Sequence, residues 1–147
     1  FRTPLLDALK DGDAALFVDT VNRLLSLIPY DDYAVSARQA IRRAGIPAGE
    51  WLYRSSILTF LLGCGVLAFG EMHGCKGRSD LIVSYAGATF VIEIKVARNN
   101  DCDTLSTEAL KQLNGKQYAG PYANAKKIGL AIDDKTRQIG AWVETIP

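Results

Sequence analysis

An aspartate, a glutamate and a lysine lie in two consecutive stretches whose alternating apolar residues predict β-strands. Asp80 belongs to the stretch 78–85, and Glu93 and Lys95 belong to the stretch 89–96. A two-residue turn at Ala86 and Gly87 would place Tyr85 opposite Ala88, which predicts a hairpin whose paired residue numbers sum to 173. Because side chains alternate along a strand, Asp80 then faces Glu93, and Lys95 projects from the same side of the sheet.

Two carboxylates that face each other across a hairpin repel unless a proton or a cation lies between them. Mg²⁺ commonly uses one or two protein carboxylates together with water and phosphate oxygens. An ammonium group beside such an ion can position the attacking water and offset negative charge that develops on a phosphate. The arrangement therefore fits metal-dependent hydrolysis of a phosphodiester. The alternative is that Glu93 and Lys95 only form the solvent face of an amphipathic strand.

A third acid, Glu71, comes near the end of the preceding strand-like stretch, 66–72. If the two stretches turn symmetrically about the middle of the intervening loop, paired numbers sum to 149 and Glu71 faces Arg78. Glu71 would then lie diagonally from Asp80 on the polar face of the sheet. A loop of odd length would move Glu71 to the other face, and neutralising Glu71 would be a sufficient role for Arg78.

The elements that must position these residues follow from hydrophobic periodicity and from breaker residues. From residue 50 onwards the pattern predicts a helix, three strands, a helix and two strands. Their predicted ranges are 50–62, 66–72, 78–85, 89–96, 105–118, 127–132 and 136–143. Ser106 and Thr107 are the candidate caps of the second helix. The fold class is α/β of the mixed α+β kind: a mixed sheet of about five strands flanked by helices.

Two more helices are predicted ahead of this unit, over 4–10 and 13–28, the second with Asp13 as its N-cap. We interpret residues 1–48 as a helical lead-in and residues 49–147 as the domain that carries the chemistry.

The chain has 147 residues, enough for one compact domain, and its composition excludes a disordered tail or a disulfide-dense miniprotein. Its longest apolar stretch, 57–69, is interrupted and too short for a membrane span. We therefore expect a soluble, cytoplasmic protein with no membrane partner. The first 33 residues carry three basic and six acidic side chains, and the remaining residues carry 14 basic and 10 acidic ones. This mild positive bias permits a nucleic-acid partner without requiring one.

Other chemistries have weaker support. The cysteines Cys64, Cys75 and Cys102 form no CxxC pair, and with a single histidine they indicate neither a disulfide framework nor a structural zinc site. Cys64 is interpreted as a core residue. Nucleophilic catalysis by Cys75 with His73 would need a fixed hydrogen-bonded geometry within a glycine-bounded turn. The chain contains no P-loop sequence.

The sequence resembles the PD-(D/E)XK nuclease superfamily, whose fold is a restriction-endonuclease-like core. The core signature corresponds to Gly-Arg-Ser-Asp-Leu at 77–81 and Val-Ile-Glu-Ile-Lys-Val at 91–96. The similarity extends to a branch found C-terminal to AAA-type ATPase-like domains in bacterial proteins. It covers nearly the whole chain, and its further matching segments are 27–30, 50–54, 109–112 and 116–119, together with Glu71. Ser79 stands where the motif name has proline.

The resemblance implies a metal site. Asp80 and Glu93 would bind Mg²⁺ or Mn²⁺, and the backbone carbonyl of Ile94 would complete the set of ligands. Glu71, or alternatively Glu50, would be an additional acid that holds the metal or its water. A carboxylate at the start of a helix also stabilises the helix dipole, which is the structural alternative for Glu50.

The resemblance also assigns the remaining site residues. Lys95 would position the attacking water. Gln112 and Tyr118 would support the site or contact the substrate backbone, with Arg78 nearby; on their own, Gln112 is typical of a helix surface and Tyr118 of aromatic packing.

The function implied is metal-dependent hydrolysis of DNA. Because the charge bias is mild, we expect an ATPase-like partner domain or a homo-oligomer to supply much of the affinity for DNA. The alternatives are a catalytically idle nuclease-like interaction or regulatory module, and a small α/β scaffold unrelated to phosphodiester chemistry.

Overall fold

The computed structural model describes residues 1–29, 50–70, 81–99, 101–115 and 124–145. Within these ranges the chain forms four helices and five strands. The helices are α1 (Arg2–Asp11), α2 (Ala14–Leu25), α3 (Glu50–Gly63) and α4 (Cys102–Gly115); the strands are β1 (Leu67–Gly70), β2 (Leu81–Tyr85), β3 (Ala88–Ala97), β4 (Lys126–Asp133) and β5 (Gln138–Glu144). The predicted order from α3 onwards is confirmed.

The strands form one sheet in the order β1-β2-β3-β4-β5. β3 and β4 are parallel, and the other three neighbouring pairs are antiparallel. The parallel pair needs a long crossover connection, and α4 provides it. The mixed five-stranded sheet with flanking helices confirms the predicted fold class, a restriction-endonuclease-like core.

The hairpin of β2 and β3 has the predicted register. Tyr85 pairs with Ala88 and Leu81 pairs with Ile92, so the paired numbers sum to 173. The two turn residues, Ala86 and the following glycine, have φ values of 50° and 81°. Two consecutive positive φ values are the requirement of a type I′ turn, which matches the twist of the strands and fixes the register.

The register predicted between β1 and β2 is wrong by two residues. Leu67 pairs with Ser84 and Gly70 pairs with Leu81, so the paired numbers sum to 151 rather than 149. A shift by two residues leaves every side chain on its predicted face, because side-chain direction repeats every second residue.

The sheet lies between two helical layers. Helices α1, α2 and α3 cover one face, and their apolar residues share a core with that face of the sheet. The sheet residues of this core include the predicted apolar set of β2 and β3: Leu81, Val83, Phe90, Ile92 and Ile94, all buried, with Tyr85 and Val96 packed beside them. Helix α4 covers the opposite face, where Leu113 packs against Ile82 and Val91.

Helices α1 and α2 are fixed to the sheet by polar contacts as well. Gly12 ends α1 in the left-handed conformation, and its carbonyl accepts a 2.6 Å hydrogen bond from Lys126 Nζ. The same ammonium forms an ion pair with Glu144 Oε2 at 3.2 Å.

Asp13 is the predicted N-cap of α2, with Oδ1 accepting from the Leu16 N–H at 3.0 Å. The division of the chain at residue 48 remains a prediction.

Helix α4 begins three residues before its predicted start. Asp101 caps it, because its two carboxylate oxygens accept from the Asp103 N–H at 3.3 Å and from the Thr104 hydroxyl at 3.1 Å. The predicted caps, Ser106 and Thr107, are wrong. Both lie inside the helix, where their hydroxyls donate to the carbonyl of Asp103 at 2.9 and 3.1 Å.

Among the helices of the described ranges, none combines the length and apolarity that a membrane crossing requires.

Candidate active site

Glu93 and Lys95 project from the face of β3 that α4 covers. Both side chains are partly buried, whereas Ile94 between them is 1% exposed and packs into the core on the other face. The alternation of the strand therefore separates one apolar and two charged side chains onto opposite sides of the sheet. The sequence predicted this separation from the same three residues.

Gln112 of α4 connects the two charged groups. In the amide orientation that satisfies both partners, its nitrogen donates to Glu93 Oε1 at 3.0 Å and its oxygen accepts from Lys95 Nζ at 3.1 Å. One neutral amide thus holds a carboxylate and an ammonium in fixed positions, and hydrogen bonds to charged groups are the stronger kind. We call Glu93, Gln112 and Lys95 the Gln112 bridge.

The packing of α4 determines where Gln112 lies. Ser106, Ala109 and Leu113 are fully buried against the sheet, at positions three and four residues apart that form one helix face. Gln112 precedes Leu113 and is itself exposed to solvent. Its side chain therefore lies at the margin of the helix–sheet contact, and from there it reaches the charged face of β3.

The end of β3 beyond Lys95 is also the place where α3 begins. The backbone N–H of Asp134 donates to the carbonyl of Ala97 at 3.0 Å. Asp134 Oδ1 accepts from the hydroxyl of the fully buried Tyr53 at 3.1 Å. Glu50 is the first residue of α3, one turn before Tyr53, and its side chain lies outside the described part of the chain.

The other selected residues lie outside the described ranges. They are Glu71, Arg78, Asp80 and Tyr118, together with His73 and Cys75 of the alternative nucleophile hypothesis. Their placement in the site remains a prediction. Within the described ranges, no group of three or more His, Cys, Asp and Glu side chains could hold a metal ion. The Glu93 carboxylate is nevertheless the hard oxygen donor that Mg²⁺ prefers.

Two cysteines can be placed. Cys64 is 7% exposed and belongs to the core, as predicted. Cys102, the first residue of α4, is partly buried, and its burial raises the pKa of the thiol. The carboxylate of Asp133 raises this pKa further, and those of Asp101 and Asp103 add to the effect. The Cys102 thiol therefore has a higher pKa than an ordinary cysteine.

Gly129 of β4 was not selected from the sequence, although a glycine inside a strand is a signal of close backbone approach. In the parallel ladder Gly129 is the neighbour of Glu93. A Cβ atom at this position would lie 2.7 Å from the backbone nitrogen of Leu110 in α4. The residue thus lies directly under the helix that carries Gln112.

Comparison with known proteins agrees with the geometry. Neither the curated proteins nor the solved structures gave a match to the chain. The family model of the PD-(D/E)XK nuclease superfamily matches residues 48–142, a range that contains α3, the whole sheet except the last two residues of β5, and α4. With this match over more than half of its length, and with an acidic residue and a lysine joined on the central strand, the chain belongs to the PD-(D/E)XK nuclease superfamily.

Proposed function

We propose that this domain is a nuclease that hydrolyses DNA phosphodiester bonds with a bound Mg²⁺ or Mn²⁺ ion. The observation that carries the proposal is the Gln112 bridge, which holds Glu93 and Lys95 on one face of the central strand. A partly buried carboxylate and ammonium that share one neutral amide, rather than only facing water, favour a site over a solubilising surface. Membership of the nuclease superfamily supports the same conclusion.

The metal ligands in this proposal are Asp80, Glu93, the backbone carbonyl of Ile94 and Glu71, with Glu50 as the alternative fourth ligand. All are oxygen donors, which suits a hard divalent cation. Gly70 pairs with Leu81 and Leu81 pairs with Ile92. In the sequence, Glu71 follows Gly70, Asp80 precedes Leu81 and Glu93 follows Ile92. Because both strand pairs are antiparallel, these three neighbours extend the ladder in the same direction, and this supports their convergence.

When bound, the ion would polarise the phosphate and stabilise the charge that develops on it. The chain's own residues provide the remaining functions. The Lys95 ammonium orients the attacking water for in-line attack and counters negative charge on the phosphate oxygens. Gln112 limits the movement of both Lys95 and Glu93. Tyr118 and Arg78 support the site or contact the nucleic-acid backbone.

We also infer the setting of this activity from the sequence resemblance. The domain would act in the cytoplasm beside an ATPase-like module of the same protein, or as a homo-oligomer. Either arrangement would supply contacts to DNA phosphates that the mildly basic domain lacks by itself.

The test is cleavage of plasmid DNA by the purified protein with Mg²⁺, with Mn²⁺ and with chelator. The variants Asp80→Ala and Lys95→Ala should reduce cleavage to background, whereas the matched control Lys111→Ala, an exposed lysine of α4, should keep it. Cleavage that persists in both site variants would indicate a contaminating nuclease and would refute the proposal. Folded protein without cleavage under any metal would favour the interaction module.

A further inference from the structure

We infer that Gly129 is a positioning residue for the Gln112 bridge: by lacking a side chain it lets α4 approach the sheet closely enough for Gln112 to reach Glu93 and Lys95. The consequence for DNA cleavage rests on the proposed function. The geometric part of the inference does not, and it can be tested without metal or DNA.

Gly129 lies in the sheet beside the charged residues of β3. In the parallel ladder of β3 and β4, Glu93 is the neighbour of Gly129, and Lys95 is the neighbour of Ala131. Neighbouring residues of adjacent strands project from the same face. On the face that α4 covers, β4 thus has no side chain beside Glu93 and only a methyl group beside Lys95.

The backbone of α4 lies too close to Gly129 to leave room for a side chain. A Cβ atom on Gly129 would lie 2.7 Å from the backbone nitrogen of Leu110, 3.1 Å from the Cβ of Ala109, and closer still to the carbonyl oxygen of Ser106. Ordinary contacts of this kind are 3.4–4 Å long. Backbone atoms of a helix cannot rotate away as a side chain can, so a methyl group here would displace the helix by about 1 Å.

Such a displacement of α4 would break the Gln112 bridge. Gln112 follows Ala109 by three residues and Leu110 by two, so it moves with the displaced turn. Its two hydrogen bonds, at 3.0 and 3.1 Å, have ordinary lengths. An increase of about 1 Å would exceed the distance at which either bond persists.

Gly140 of β5 provides a matched control on the same helix. A Cβ atom there would lie 2.9 Å from the Sγ atom of Cys102 and 3.4 Å from its Cβ atom. Cys102 is the first residue of α4, ten positions before Gln112. Neither Gly129 nor Gly140 is among the residues with positive φ, so alanine at either position tests space rather than backbone conformation.

The direct test is NMR spectroscopy of the metal-free protein. The side-chain amide signals of Gln112 are identified by their absence in Gln112→Met. We expect Gly129→Ala to shift these signals and Gly140→Ala to leave them in place. Unchanged Gln112 signals in a folded Gly129→Ala protein would overturn the inference.

The second test is a double-mutant cycle on DNA cleavage. Gly129→Ala and Gln112→Met should each lower the rate by about 10- to 100-fold, as expected for residues that orient a metal ligand. The double variant should be no slower than the slower single variant, because both changes remove the same contact. Losses that multiply would mean that Gly129 acts independently of Gln112, and the inference would be wrong.

Failure of the proposed function and failure of the inference about Gly129 give different results. If the unsubstituted protein does not cleave DNA with any metal, the proposed function fails, and the NMR comparison still decides the role of Gly129. If Gly129→Ala does not fold, the decisive measurement is a nuclear Overhauser effect in the unsubstituted protein, between the Gly129 α-protons and the amide proton of Leu110. We expect a strong effect, and its absence would overturn the inference.

Discussion

The side chain of Asn22 in helix α2 forms the two backbone hydrogen bonds with Ile139 of β5 that a neighbouring strand would otherwise form. Its Oδ1 atom accepts a 2.6 Å hydrogen bond from the Ile139 N–H, and its Nδ2 atom donates to the Ile139 carbonyl at 3.3 Å. Within the described sheet, β5 is an edge strand. Unpaired backbone groups at an edge invite pairing with another chain, and here a side chain of the same molecule satisfies one residue of that edge.

Replacement of Asn22 by alanine should lower the free energy of unfolding by about 1–3 kcal/mol, because two backbone groups of Ile139 lose their partner. Urea denaturation measures this change. The matched control is Asp19→Ala, an exposed residue of the same helix, which should change stability by less than about 0.5 kcal/mol. Equal effects of the two substitutions would show that the contact between Asn22 and β5 does not stabilise the folded protein.

Gln112→Met tests the bridge. Methionine keeps the length of the side chain but makes neither hydrogen bond, and Gln112 is exposed, so stability should fall by no more than about 1 kcal/mol. Cleavage of DNA should nevertheless fall by about 10- to 100-fold, because Glu93 and Lys95 lose the group that orients them. Lys111→Met, the preceding exposed residue of α4, should leave the rate unchanged. A rate loss that merely matches a loss of folded protein would assign Gln112 a structural role.

Asp80→Asn should stabilise the protein in the presence of chelator. In our proposal Asp80 and Glu93 are close, and removing one of two like charges relieves repulsion. A gain of about 1 kcal/mol corresponds to an increase of roughly 2–4 °C in Tm for a domain of this size. In unsubstituted protein Mn²⁺ should raise Tm, and in Asp80→Asn this increase should be smaller. A lower Tm of the variant in chelator would contradict the predicted pairing of the two carboxylates; Asp19→Asn is the control for a general charge effect.

Cys102 should make stability depend on pH in the alkaline range. Burial and the carboxylate of Asp133 raise the pKa of the thiol in the folded protein, so the unfolded chain ionises first as the pH rises. Its contribution to stability is therefore complete below about pH 8.5, the usual thiol value, and is lost as the pH rises toward the higher pKa of the folded state. The difference in unfolding free energy between the protein and Cys102→Ala, measured from pH 7 to pH 10, isolates this effect. A difference that does not vary with pH would refute it.

The parts of the fold that sequence could predict are those determined by short-range rules. The common geometries of a two-residue hairpin turn, such as the one at Ala86 and Gly87, give the same strand register, so the pairing of β2 and β3 could be predicted. The register of β1 could not be predicted, because the connection to Leu81 is longer and has no such rule. The start of α4 was misplaced because Ser106 has the residue type of a cap but lies inside the helix, whereas Asp101 makes the capping contacts.

In the candidate site, too, only the relationships within one strand could be predicted from short-range rules. Glu93 and Lys95 lie two positions apart in one strand, so their spacing alone predicts that they share a face of the sheet. The contact of Gln112 with both depends on how deeply α4 packs on β4, which is a property of tertiary structure. Sequence selected Gln112 only through family resemblance, and it did not select Gly129, whose importance becomes visible only with the helix in place.

Phe17 of α2 packs edge to face on Phe90 of β3, with 6.1 Å between the ring centres. Helices α1 and α2 therefore help to cover the apolar face of β3, opposite the face from which Glu93 projects. A shortened protein that starts at residue 48, where the family match begins, would lose this ring contact and the part of the shared core that α1 and α2 provide. Loss of that cover would expose apolar surface and favour aggregation, so studies of catalysis should keep both leading helices attached.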